Sequence, residues 1–110
     1  SDKKINQKKS NVFLKHKEIS LESRFGSYYL RFTTDDRSGV ISGIANQFKK
    51  FNISMKSMLQ KESRGKSTNA TIVITTHNCY ERNMMQALSR INSQSFIRNK
   101  TVYLRIEDFK

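Results

Sequence analysis

The chain contains no proline and no tryptophan, one cysteine and four glycines among 110 residues. A single thiol, Cys79, excludes an intrachain disulfide, and no metal-ligand cluster surrounds it, which fits a reducing compartment. No apolar run approaches the roughly 18–20 residues needed to span a bilayer, so no membrane partner is expected. The basic N-terminus lacks the apolar core of a signal peptide. A cytoplasmic location follows as the expectation. Hydrophobic residues make up 35%, low for a globular chain, so part of the length should be linker or exposed surface. Also missing are a Ser/His/Asp arrangement, a glycine-rich phosphate loop and an HExxH motif. Those absences leave little room for a self-sufficient enzyme, and no catalytic residue or metal ligand is assigned.

What is abundant is positive charge. The net charge is +12, with 21 Lys/Arg against 9 Asp/Glu, and such a balance calls for a nucleic-acid hypothesis. The excess is spread along the chain rather than held in a block of like charges. The alternative function is therefore a basic module that binds nucleic acid. Against it, the third strand reads Ala70-Thr71-Ile72-Val73-Ile74, with no ring to stack a base, and nucleic acid is not the expected partner.

Residues 1–25 read as a basic linker following an absent N-terminal catalytic region. Ser1–Asn11 has no periodicity and too little apolar surface to offset the entropy of ordering it. Residues 26–110 read as one domain. Tyr28–Thr34 alternates apolar and polar residues as a half-buried strand does. Asp35-Asp36-Arg37-Ser38-Gly39 is a turn, with the two carboxylates expected to cap the helix that follows. The helix runs from Gly39 to Phe51, with Ile41, Ile44, Ala45 and Phe48 on one face. Asn52 occupies the position where a helix end tolerates left-handed geometry. A second strand covers Ile53–Lys61, then a polar loop Glu62–Thr68 leads by a hairpin into a β-branched third strand, Asn69–Thr76. That near-continuous β-branched run suggests a central strand covered on both faces. A second helix, Tyr80–Asn92, buries Met84, Ala87, Leu88 and Ile91, and Thr101–Glu107 is a fourth strand. Met55, Met58, Met84 and Met85 are assigned to the core. His77 is assigned a loop-capping role.

The order βαββαβ is the ferredoxin-like plan of the α+β class. Right-handed crossovers put both helices on one face of a four-stranded antiparallel sheet, with the first and third strands central. The other face is left without helices and calls for a partner.

On these residues a family resemblance rests. Tyr28-Tyr29-Leu30-Arg31-Phe32, Asp36-Arg37-Ser38-Gly39-Val40 and Ile53–Lys61, then Ala70–His77 and Leu104–Asp108, together resemble the ACT domain. More specifically they are similar to the C-terminal regulatory domain of bacterial homoserine dehydrogenase. The resemblance implies an amino-acid effector, threonine first, and a homodimer. It also implies a parent enzyme that interconverts homoserine and aspartate semialdehyde with NAD(P), for which this piece alone holds no cofactor site. It further implies that Asp36, Ser38, Gly39 and Val40 of one chain face Asn52, Ile53 and Ser54 of the other. In that arrangement N–H groups at Gly39 and Val40 take the effector carboxylate. Asp36 attracts the ammonium, and Ser54 or Gln60 meets a hydroxyl. Two positions depart from the family pattern: Ser38 stands where the turn usually has proline, and Asn78 follows His77 where proline is usual. Each substitution loosens its loop through the unfolded state, by up to about 1 kcal/mol.

Overall fold

The computed structural model describes residues 24–62 and 69–106. The linker reading of residues 1–25, apart from Arg24 and Phe25, and the centre of the hairpin loop lie outside the described residues.

The order is β1 (Phe25–Asp35), α1 (Val40–Lys50), β2 (Met55–Glu62), β3 (Asn69–Thr76), β4 (Cys79–Tyr80), α2 (Glu81–Asn92) and β5 (Val102–Ile106). All pairings are antiparallel. β1 pairs with β3 on one side and β5 on the other, and β2 lies outside β3. The ferredoxin-like plan, with β1 and β3 central, is therefore the observed one.

β4 is an element the sequence reading did not anticipate. The β1–β3 register, extended past Tyr29↔Thr75, would set Asn78 opposite Gly26, yet the partner of Gly26 is Cys79. One extra residue has been inserted, so β4 continues β3 along the same edge after a bulge. That continuation delays the second helix by one residue, to Glu81.

The core is a single cluster. Tyr28, Leu30 and Phe32 of β1 and Ile72 and Ile74 of β3 face Ile44 and Phe48 of α1 and Met84, Ala87, Leu88 and Ile91 of α2. Both helices thus cover the same face. The expected burial of α2 is matched residue for residue. In α1 the buried face is Val40, Ile44 and Phe48, while Ile41 is only partly buried and Ala45 lies beside it. The expected stripe was centred a little too far round the helix, because Val40 turns inward at the first helical position. Asn52 closes the helix with φ 60°, as its chemistry suggested.

Three other expectations are corrected. β3 is central but covered on one face only: Ala70, Ile72, Ile74 and Thr76 are buried, while Thr71, Val73 and Thr75 are half-buried on the open side. Its β-branched run reflects fit to a pleated surface as much as burial. Met84 is in the core, but Met55 and Met58 are among the exposed large hydrophobics, because edge strand β2 reaches past the helices. Neither Asp35 nor Asp36 caps α1, which has no side-chain cap hydrogen bond.

Candidate functional site

The turn between β1 and α1 is held from below by a segment far along the chain. After α2, residues 96–98 run beside the end of β1. The Asp35 N–H donates to the Phe96 carbonyl at 2.8 Å, and the Arg98 N–H donates to the Thr33 carbonyl at 2.9 Å. Arg98 then closes on Asp35 with two donors: Nε to Oδ1, and Nη2 to Oδ2 at 2.8 Å. Arg37 sits on the other side, its Nε 3.5 Å from Asp35 Oδ2 and its Nη2 donating to Ser95 Oγ at 2.9 Å. The Arg98 hydrogen bond, with the nearby charges of Arg98 and Arg37, holds the Asp35 carboxyl below its ordinary value. Asp35 is therefore committed to bracing the turn. Asp36, Arg37, Ser38 and Gly39 are exposed above it.

Gly39 is the residue that shapes the helix start. Its φ is 90°, a conformation that L side chains rarely adopt, and a Cβ placed there would meet nothing within 4 Å. Space therefore opens in front of the first N–H groups of α1, which no side chain caps. Ser42 Oγ donates to the Gly39 carbonyl at 3.1 Å, and the Gly43 N–H donates to the same oxygen at 2.9 Å. Both contacts fix the backbone of Gly39 and leave the donors around Val40 facing outward. The Val40 side chain itself is buried in the core.

The eight sequence-derived candidates fall into two groups within one chain. Asp36, Ser38, Gly39 and Val40 lie at the start of α1, and Asn52, Ile53 and Ser54 lie past its end. The eleven-residue helix, whose first residue is Val40, runs from one group to the other, about 16 Å at 1.5 Å per residue. Gln60 pairs across β2 with Ile72, which pairs with Phe32, so Gln60 shares the sheet end of the first group, two strands over. Ile53 is buried at 5% exposure, so it can offer a ligand only its backbone. Even there its N–H is used, donating to the Phe48 carbonyl at 2.8 Å. Ser54 is exposed, and its carbonyl accepts from the His77 N–H at 2.9 Å. His77 thus ties its loop through its backbone. A site that uses both groups requires two copies of the chain.

Sequence reasoning missed Arg98, Phe96 and Gly43. Phe96-Ile97-Arg98 carries a faint apolar signal, but three residues are too short to read as an element. Gly43 is needed because a Cβ there would stand 2.9 Å from the Phe96 ring.

The remaining chemistry is sparse. Cys79 is buried, and burial raises its thiol pKa, which makes it a poor nucleophile. Among the described residues no group of three or more His, Cys, Asp or Glu could hold a metal ion. No helix among them is long and apolar enough to cross a membrane.

Fold and turn together define a class: this is an ACT-like domain, a βαββαβ sandwich with its first helix opening on a glycine. The ACT domain from the GTP pyrophosphokinase of Chlorobium tepidum superposes with a TM-score of 0.57 at 11% identity, over 73% of this chain and 99% of that one. Within that class, the chain resembles the regulatory domain of homoserine dehydrogenase. It is 34% identical over 82 residues to homoserine dehydrogenase of Methylobacillus glycogenes, a match that covers 74% of this chain and 20% of that protein. The crystal structure of a homoserine dehydrogenase from Thiobacillus denitrificans superposes with a TM-score of 0.71 at 28% identity, over 80% of this chain and 19% of that one. The chain thus spans about a fifth of the length of the curated relatives it matches. No family model matches it.

Proposed function

We propose that the chain is the amino-acid-binding regulatory domain of a homoserine dehydrogenase, with threonine as its effector and a homodimer as its working form. The observation that carries the reading is the uncapped start of α1 at Gly39, where an open left-handed turn presents backbone N–H groups to solvent. A carboxylate there gains both those donors and the positive end of the helix. Asp36, exposed at the rim, supplies charge for an ammonium. Asn52 and Ser54 of a second copy would close the site over the ligand, with Gln60 or Ser54 reaching a hydroxyl. Edge strand β2, with Met55, Met58 and Leu59 exposed along it, suits pairing with that second copy. The parent enzyme would act in the cytoplasm on homoserine and aspartate semialdehyde with NAD(P), and the cofactor would be held by residues outside this chain.

A thermal-shift titration tests the reading. Threonine at about a hundred times its dissociation constant should stabilise the fold by about 2.7 kcal/mol, a melting shift on the order of 10 °C. Gly39→Asp should abolish the shift by placing a negative charge where the carboxylate belongs. Gly39→Asn brings a side chain of the same size and the same backbone strain without the charge, and part of the shift should return. An equal shift in the Gly39→Asp variant would place the effector elsewhere.

A further inference from the structure

The helix-free face of the sheet carries a concavity at the opposite end from Gln60. It is a half-open hollow of about 540 Å³. A β-bulge builds it. Met55 pairs with Thr76 and Ser57 with Thr75, so Lys56 is the extra residue. An extra residue in one strand re-aims its neighbours, and here both Lys56 and Ser57 line the hollow. Across from them are Thr75 on β3, Ser27 on β1 and Ile106 on β5, with His77 at the rim.

These groups are rich in donors. Ser57 Oγ and Thr75 Oγ1 stand 2.5 Å apart in a hydrogen bond that either hydroxyl can donate, which leaves the proton of the accepting hydroxyl free to donate outward. The Lys56 ammonium and the Ser27 hydroxyl add further donors. No Asp or Glu is among the described lining residues. Ile106, an exposed large hydrophobic, gives the hollow an apolar wall.

We propose that this hollow binds a short aliphatic carboxylate, its head taken by Lys56 and the Ser57–Thr75 hydroxyl pair and its stem laid against Ile106. The polarity of the lining selects against amino acids. A zwitterion would bring an ammonium toward Lys56 with no carboxylate among the described lining residues to receive it, so the site differs in ligand class from the one at Gly39. It stands independent of that reading.

The test is an amide chemical-shift titration of the ¹⁵N-labelled chain with sodium 3-methylbutanoate. The matched probes are its neutral alcohol 3-methylbutan-1-ol, threonine, and sodium chloride at equal ionic strength. The carboxylate should give saturable shifts at Ser57, Thr75 and His77, and the other three should not. Losing a charged hydrogen bond weakens binding by about tenfold or more, so Lys56→Glu should do at least that while Lys56→Arg retains binding. Gly39→Asp should leave this titration unchanged. Saturable carboxylate shifts without a threonine response would sink the effector reading and keep this one; threonine binding at Gly39 with no response at the hollow would do the reverse. Shifts that chloride reproduces, or that persist in Lys56→Glu, would overturn the proposal.

Discussion

Arg98 grips Asp35 with both Nε and Nη2 of its guanidinium across 63 residues of sequence. The pair stitches the segment after α2 to the turn that opens α1. A two-point guanidinium–carboxylate contact fixes orientation as well as charge, so the pair sets how residues 96–98 lie against the end of β1.

The pair should show in acid. Asp35 has its folded pKa lowered, first by the Arg98 hydrogen bond. Its contribution is therefore complete above the ordinary carboxylate range and is lost as pH falls through the lowered value. Asp35→Asn should melt below the parent at pH 7, and the two curves should converge near the acid end of the titration. Arg98→Lys should not restore the parent, because an ammonium cannot reproduce the fork. Melting curves between about pH 2 and 7 check this. A constant gap across that range would show that the substitution acts by packing alone.

At the alkaline end the relevant group is Tyr28. Its pKa is pushed up to about 12, chiefly by burial and further by the charge of Glu81. The folded chain holds that proton more tightly than the unfolded chain, so the contribution is whole below about pH 10. It drains away as pH rises toward about 12. Tyr28 Oη has no hydrogen-bond partner among the described residues, so Tyr28→Phe removes a buried unpaired hydroxyl. That variant should be as stable as the parent or better at pH 7, with a shallower loss of stability above pH 10. A variant that melts well below the parent at neutral pH would reveal a partner for the hydroxyl.

Gly43 and Phe96 form a packing pair whose coupling has a definite sign. Gly43→Ala forces the Phe96 ring to move, and overpacking of this kind costs about 1–3 kcal/mol. Alanine is otherwise the better helix residue by about 1 kcal/mol. In the parent the substitution should be destabilising or at best neutral. In a Phe96→Ala background, itself about 3–5 kcal/mol less stable, it should become stabilising. Urea midpoints of the four variants measure the cycle, and additivity would mean that the ring relaxes freely.

The proposed dimer should depend on β2. Leu59 is 58% exposed on this edge strand, and Met58 is 44% exposed on the opposite face. Leu59→Glu should shift sedimentation toward the monomer while the circular dichroism stays unchanged. A parent that is monomeric at all concentrations would contradict the dimer.

Much of the fold was legible in the sequence. The 3.6-residue spacing of Met84, Ala87, Leu88 and Ile91 identified the inner face of α2, and the alternation of Tyr28, Leu30 and Phe32 identified that of β1, because periodicity reports which side is buried. The asparagine past the end of α1 marked a left-handed position, and Asn52 adopts it, whereas the left-handed backbone of Gly39 emerged only in the structure. The tertiary structure alone decided which carboxylate does structural work. Asp35 and Asp36 are chemically equivalent in sequence, and only the arrival of residues 96–98 beside β1 commits Asp35 to Arg98 and leaves Asp36 exposed. The bulge at Lys56 was equally invisible, because an extra residue shows only against the register of a partner strand. Local pattern fixes what a residue prefers, whereas contacts between distant segments fix what it faces.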